Sequence, residues 1–141
     1  MSLLDNITPE QQLQLVFMQD TKGYAALHYA AHEGRTETVM RLLDNLTPEQ
    51  QLKLLTTQNN SGDTALHEAA QKGATERVKT MLANLTPEQQ LKLLSVQNKK
   101  GMTAYEGAVG HYMTSDTLRT LEHYQKEADY RVNYRKFAKF T

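Results

Sequence analysis

The sequence predicts an all-α solenoid, a stack of similar helical units in which each unit touches only its neighbours. Three observations predict it. The segment Thr-Pro-Glu-Gln-Gln occurs at residues 8–12, 47–51 and 86–90, always 39 residues apart, and a fixed interval of this size marks a repeat architecture. Its surroundings recur with it: Asn6-Ile7, Asn45-Leu46 and Asn84-Leu85 precede it, a leucine-rich run follows, and Gly23, Gly62 and Gly101 keep the same interval. Between these marks, apolar residues such as Val78, Met81 and Leu82 fall at helical spacing.

Each element of the unit has a local reason. Thr47 suits the N-cap, where its hydroxyl accepts from an orphan amide of the first turn. Pro48 at the first helical position gives up an N–H that has no partner there. Glu49 puts negative charge at the positive end of the helix dipole, and Gln50, three after the threonine, completes a capping box. A short helix follows with Leu52 and Leu55 on one face; its counterparts begin at Leu13 and Leu91. The polar links 19–23, 58–62 and 97–101 each end in glycine, which tolerates positive φ in a turn. A second helix carries Leu66, Ala69 and Ala70 as a narrow apolar stripe and ends at Gly73 in a left-handed cap. A third carries Val78, Met81 and Leu82 and ends at Asn84, read as a left-handed cap. Beyond the repeats, Ser115 starts a helix with Leu118 and Leu121. A C-terminal helix with Ala128 and Val132 follows, expected to lie over the end of the stack, bury Tyr130, Tyr134 and Phe137 on it, and fray in its last turn.

Residues 62–79, Gly-Asp-Thr-Ala-Leu-His-Glu-Ala-Ala-Gln-Lys-Gly-Ala-Thr-Glu-Arg-Val-Lys, resemble the ankyrin repeat. Residues 23–39 match almost as well through Ala26-Leu27-His28-Tyr29-Ala30-Ala31, Gly34, Glu37 and Val39. The third unit keeps Gly101, Thr103-Ala104 and Ala108 but has Tyr105-Glu106 in place of leucine and histidine, and Tyr112 in place of the helix-ending glycine. It reads as a degenerate terminal unit. The family's unit is about 33 residues, and the surplus here is the helix opened by Thr-Pro-Glu-Gln-Gln. The resemblance therefore implies an ankyrin-repeat solenoid of three repeats with one extra capped helix per unit and a C-terminal capping helix. The boundaries follow: a partial N-terminal repeat or capping helix at 1–19, repeats at 20–58 and 59–97, a degenerate repeat at 98–122 and the C-terminal helix at 123–141. Arrays with such long units are also similar to those of secreted effectors of intracellular bacteria.

Composition narrows the function. The 141 residues suffice for one core. The formal net charge is zero, which argues for neither nucleic acid nor an anionic membrane as partner of the whole molecule. There is no cysteine, so disulfides, thiolate zinc sites and a cysteine nucleophile are excluded, and a cytoplasmic location (host cytoplasm for a secreted effector) is expected. No apolar run approaches the roughly 18 residues of a membrane span, and the N-terminus lacks a signal peptide's apolar core. The chain begins inside a repeat, at Leu4-Asp5-Asn6-Ile7, so a piece of a longer protein is expected.

Few residues suggest chemistry. His28 and His32 are four apart, a metal-ligand spacing, yet no third ligand stands nearby and no metal or other cofactor is expected. The resemblance instead makes His28 and His67 turn-steadying residues bonded to backbone. Asn6-Ile7-Thr8 and its two counterparts match the glycosylation pattern but are already explained as helix caps. Lys126, Arg131, Arg135, Lys136 and Lys139 outnumber Glu127 and Asp129 in the last sixteen residues, a balance of +3 interleaved with aromatics. Polar residues recur at equivalent places rather than converging as unlike groups, so no enzyme activity is expected.

The resemblance implies a non-catalytic protein–protein interaction module, a scaffold that grips another protein by its turn tips and concave inner face. Carried over by position, the partner-binding residues are Thr21, Lys22, Tyr24, His32 and Glu33; Asn60, Ser61, Asp63, Gln71 and Lys72; and Lys99, Lys100, Met102 and His111. Tyr24 and Met102 are the expected apolar anchors. A monomer is expected. The alternatives are a substrate-recruiting domain of a larger enzyme or effector, and attachment to nucleic acid or an anionic membrane through the C-terminal helix.

Overall fold

The structure, a computed structural model, describes residues 8–110 and 115–138. Those residues form nine helices and no strand: α1 (Pro9–Phe17), α2 (Ala26–Glu33), α3 (Thr36–Asp44), α4 (Pro48–Leu55), α5 (Ala65–Gln71), α6 (Thr75–Ala83), α7 (Pro87–Leu94), α8 (Ala104–Gly110) and α9 (Ser115–Ala138). α2, α5 and α8 stack on one another, one from each unit, and α3, α6 and the start of α9 form a second row behind them. α4 and α7 are the extra helices that lengthen each unit.

The extra helices start as their sequence dictates. The Thr8, Thr47 and Thr86 hydroxyls accept from the amides of Gln11, Gln50 and Gln89 at 3.1–3.2 Å. Those glutamines in turn accept from the threonine amides at 2.9–3.0 Å, so the capping box closes three times. The second glutamine of the motif also has a task. Gln51 and Gln90 each donate at 2.8 Å to the carbonyl of Leu43 or Leu82, tying the extra helix to the end of the preceding one.

The core is leucine and alanine. Leu27, Leu54, Leu55, Leu66, Leu82 and Leu93 are buried, and Ala30, Ala31, Ala69 and Ala70 let the inner helices approach closely. Gly73 has φ +66° and completes a Schellman motif, with the Ala74 amide on the Ala69 carbonyl and the Gly73 amide on that of Ala70. Its counterpart Gly34 does not: φ is −82° in extended backbone. The carbonyls left over at Ala30 and Ala31 are taken by the Arg77 guanidinium, reaching across from α6. Asn45 and Asn84 are not left-handed caps either. Their φ values are −90° and −96°, because the chain tightens through bonds from Leu46 to Leu43 and from Leu85 to Leu82 and buries those leucines.

At the C-terminal end the expected division between residues 122 and 123 falls inside α9, which runs unbroken for 24 residues. No glycine or proline follows Gly110, so nothing in the sequence interrupts it. α9 lies antiparallel along α7, from Leu121 and Gln125 near Leu94 to Arg135, whose guanidinium holds Glu88 at 2.9 Å. Ala128 is buried at this contact, and Pro87 and Gln90 are buried where Pro48 is exposed and Gln51 half-buried. Tyr130 and Tyr134, expected in the interface, are instead 67% and 63% exposed and stack on each other at 6.2 Å. At about 100° per residue, Tyr130 lies on the far side of the helix from Ala128. Phe137 has no described side chain, and the last turn from residue 139 lies outside the described residues.

Candidate functional site

The turns and the inner helices make one continuous surface, built from a hydrogen-bond set that repeats. Asp20, Asn59 and Asn98 each accept through Oδ1 from the amides two and four residues on, at 2.9–3.1 Å. Each also pairs its own amide with the carbonyl four residues on, at 2.9 Å. These Asx bonds fix the turn. Successive turns are then joined: the Asn60 amide donates to the Lys22 carbonyl and the Lys99 amide to that of Ser61, both at 3.0 Å.

The two histidines lock the same junctions from below. His28 Nδ1 accepts from the Ala25 amide at 3.0 Å, and His67 Nδ1 from the Thr64 amide at 3.2 Å. With Nδ1 an acceptor, Nε2 carries the proton and donates to the next unit, His28 to the Asp63 carbonyl at 3.0 Å and His67 to the Met102 carbonyl at 2.9 Å. Both nitrogens of His28 are therefore engaged. Among the described residues no group of three or more His, Cys, Asp or Glu side chains is arranged to hold a metal ion.

The residues singled out in the sequence divide into two groups. Thr21, Lys22, Ser61, Lys99 and Lys100 stand exposed on the turn tips, and Glu33 and Lys72 are exposed at the ends of the inner helices. Others are committed to the frame. Asn60, though exposed, donates to the Thr21 carbonyl at 3.0 Å. Asp63 accepts from the Asn98 side chain at 2.9 Å and gives its carbonyl to His28. Between the two groups, Tyr24, Gln71 and Met102 are half-buried, with part of each side chain open to solvent. His111 lies outside the described residues.

A buried carboxylate that no sequence motif marks stands at the centre of this surface. Glu68 is only 4% exposed and accepts from His32 Nδ1 at 2.9 Å and from the Asn59 side chain at 3.2 Å. His32 is thus tied to the neighbouring unit. Tyr24 packs beside this cluster, edge-on to His28 and tilted on Tyr29. Burial first, then the negative charges of Glu68 and Asp63, push its phenol pKa up. Tyr29 donates to Asp20, and that bond is the main cause holding the Asp20 carboxyl below its ordinary value. The overlooked signal was positional: Tyr29, Glu68 and Gly107 occupy the same place in successive units, and only Glu68 is charged.

The family model described as ankyrin repeats, three copies, matches residues 5–92. The chain belongs to the ankyrin-repeat family. The match stops short of Gln97, where the third turn begins and where the ankyrin pattern weakens through Tyr105 and Glu106. Comparison with curated proteins finds no match. Ankyrin repeats are generally protein–protein interaction modules and typically non-catalytic. Among the described residues no helix is long and apolar enough to cross a membrane.

Proposed function

We propose that this ankyrin stack binds a partner protein across its turn tips and inner face, with no catalytic step of its own. One observation carries the reading. The residues that hold the turns repeat from unit to unit, whereas the tip side chains differ: Thr21-Lys22, Asn60-Ser61 and Lys99-Lys100. A rigid frame with varied exposed tips suits recognition of another macromolecule. Lys22, Lys99 and Lys100 stand exposed on the tips, which suits a partner surface that is acidic. The same surface would serve as the recruiting part of a longer protein.

The test is affinity capture from lysate with the whole chain beside a variant carrying Lys22→Glu, Lys99→Glu and Lys100→Glu. All three are exposed, so the variant is expected to melt as the parent does. A partner held by the parent and released by the variant supports the reading, and capture should weaken with salt. A partner held equally by both would remove the tips from the site.

The exposed Tyr130–Tyr134 pair favours a second contact through α9. Arg131 and Arg135 are paired with Glu127 and Glu88, which spends much of the charge that nucleic acid or an anionic membrane would need. A protein contact around the tyrosines fits better.

A further inference from the structure

We infer that the open end of the third unit is a second binding site, which takes an extended peptide segment carrying one bulky apolar side chain. The site is a hollow of about 560 Å³ between α7, α8 and α9. Leu94, Tyr105 and Leu121 make its apolar floor, and Gln97, Gln125 and Lys126 stand at its rim. The volume is that of a ligand cavity rather than a packing defect.

The two internal junctions show what this place accommodates. Gln19 donates from its side chain to the Gly23 carbonyl of its own turn at 2.8 Å and to the Gln58 carbonyl of the next unit at 3.0 Å. Gln58 repeats this with Gly62 and Gln97 at the same distances. Two residues beyond each accepting carbonyl, the incoming chain returns an amide to the turn: Asn60 to Lys22, Lys99 to Ser61. An extended segment thus meets each turn through a carbonyl and an amide two residues apart. Under it Leu55, Leu66 and Leu82 are buried; of their counterparts at the hollow, Leu94 and Leu121 are buried too, and Tyr105, in the place of Leu66, is half-buried and faces the hollow.

At the third turn the same groups stand ready without an incoming chain. The side chain of Gln97 makes neither bond, and the carbonyl of Lys100 receives no amide, among the described residues. Position 106 decides against a complete further unit as occupant. His28 and His67 donate to the carbonyl of the next unit, whereas the Glu106 side chain accepts from the Thr103 amide and hydroxyl of its own unit. The third bond of a repeat junction has no donor here, while the groups that make the other two, the Gln97 side-chain amide and the Lys100 carbonyl, are present. This site borders the third turn tip but uses the Lys100 backbone carbonyl, the Gln97 side chain and the hollow, not the lysine side chains proposed above.

The experiment is selection of random linear peptides displayed on phage against the whole chain. Enriched sequences are then synthesised and titrated while backbone and side-chain amide resonances are followed by NMR. The expected result is a shared bulky apolar residue, with shifts at Ser95, Gln97, Lys100 and Gln125. Ser95→Trp, which fills the hollow from an exposed position, and Gln97→Ala, which removes the donor, should each weaken binding about tenfold or more. Lys22→Glu with Lys72→Ala, on the tips and inner face, should leave it unchanged. The proposal is overturned if no peptide is enriched or if binding ignores Ser95→Trp. It is also overturned if the free chain forms a dimer that Ser95→Trp abolishes, since the occupant would then be a second copy.

Discussion

Asp20 shows how one side chain departs from a repeated pattern without breaking it. Asn59 and Asn98 hold their turns with the same Oδ1 bonds, so the charge at position 20 is not needed for the turn. What the charge adds is the bond from Tyr29, which lowers the Asp20 pKa more than the Tyr24 amide does. A carboxyl whose folded pKa is depressed contributes stability that is complete above its unfolded value, about 3.9, and is lost as pH falls through the lower folded value. Asp20→Asn should therefore keep the fold but flatten the acid limb. Urea midpoints measured from neutral pH to below about pH 4 should fall more steeply for the parent than for the variant, and parallel limbs would contradict this account. The histidines follow a similar logic of position. Their two nitrogens face an amide on one side and a carbonyl on the other, which selects a single tautomer.

Among the elements, the turn is where conformation and contact combine. Gly62 and Gly101 share a left-handed φ, +78° and +75°. A Cβ on Gly62 would lie 2.6 Å from the Lys99 backbone nitrogen, whereas one on Gly101 would meet nothing within 4 Å. Gly101→Ala should then cost only the left-handed penalty of about 1–2 kcal/mol, and Gly62→Ala distinctly more, because the next turn must also move. Equal shifts in chemical denaturation would show that the turns are not in contact as described. The sequence made each turn legible, since polar residues ending in glycine need only local physics. It did not reveal that Gly34 would end its helix differently from Gly73, because Arg77 supplies the cap from another unit.

The three units stack as one body, and about three repeats is the least that buries a continuous core. Leu66 sits in the middle unit with no exposed surface. Leu66→Ala should cost about 2–5 kcal/mol, and the loss should reach every unit. Circular dichroism and tyrosine fluorescence should still report one shared transition, at a lower midpoint. Separate transitions, or an unchanged midpoint, would contradict the packing. The long α9 strengthens this expectation, since it touches α6, α7 and α8 together.

Sequence alone determined what depends on neighbours along the chain: the 39-residue period, the three capping boxes, the turn glycines and the small-residue stripe of the inner helices. It also selected the family, because the motif recurs in register. Only tertiary structure decided which polar residues are free and which are frame. Glu68 lies outside the apolar stripe of Leu66, Ala69 and Ala70, and its burial comes from Asn59 and His32 closing over it. Tyr130 and Tyr134 read as interface residues until α9 turns Ala128 toward α7 and leaves the tyrosines outside. The reason is physical: burial between units is set by the stacking of separate segments, and no local pattern specifies which side of a helix that stacking will cover.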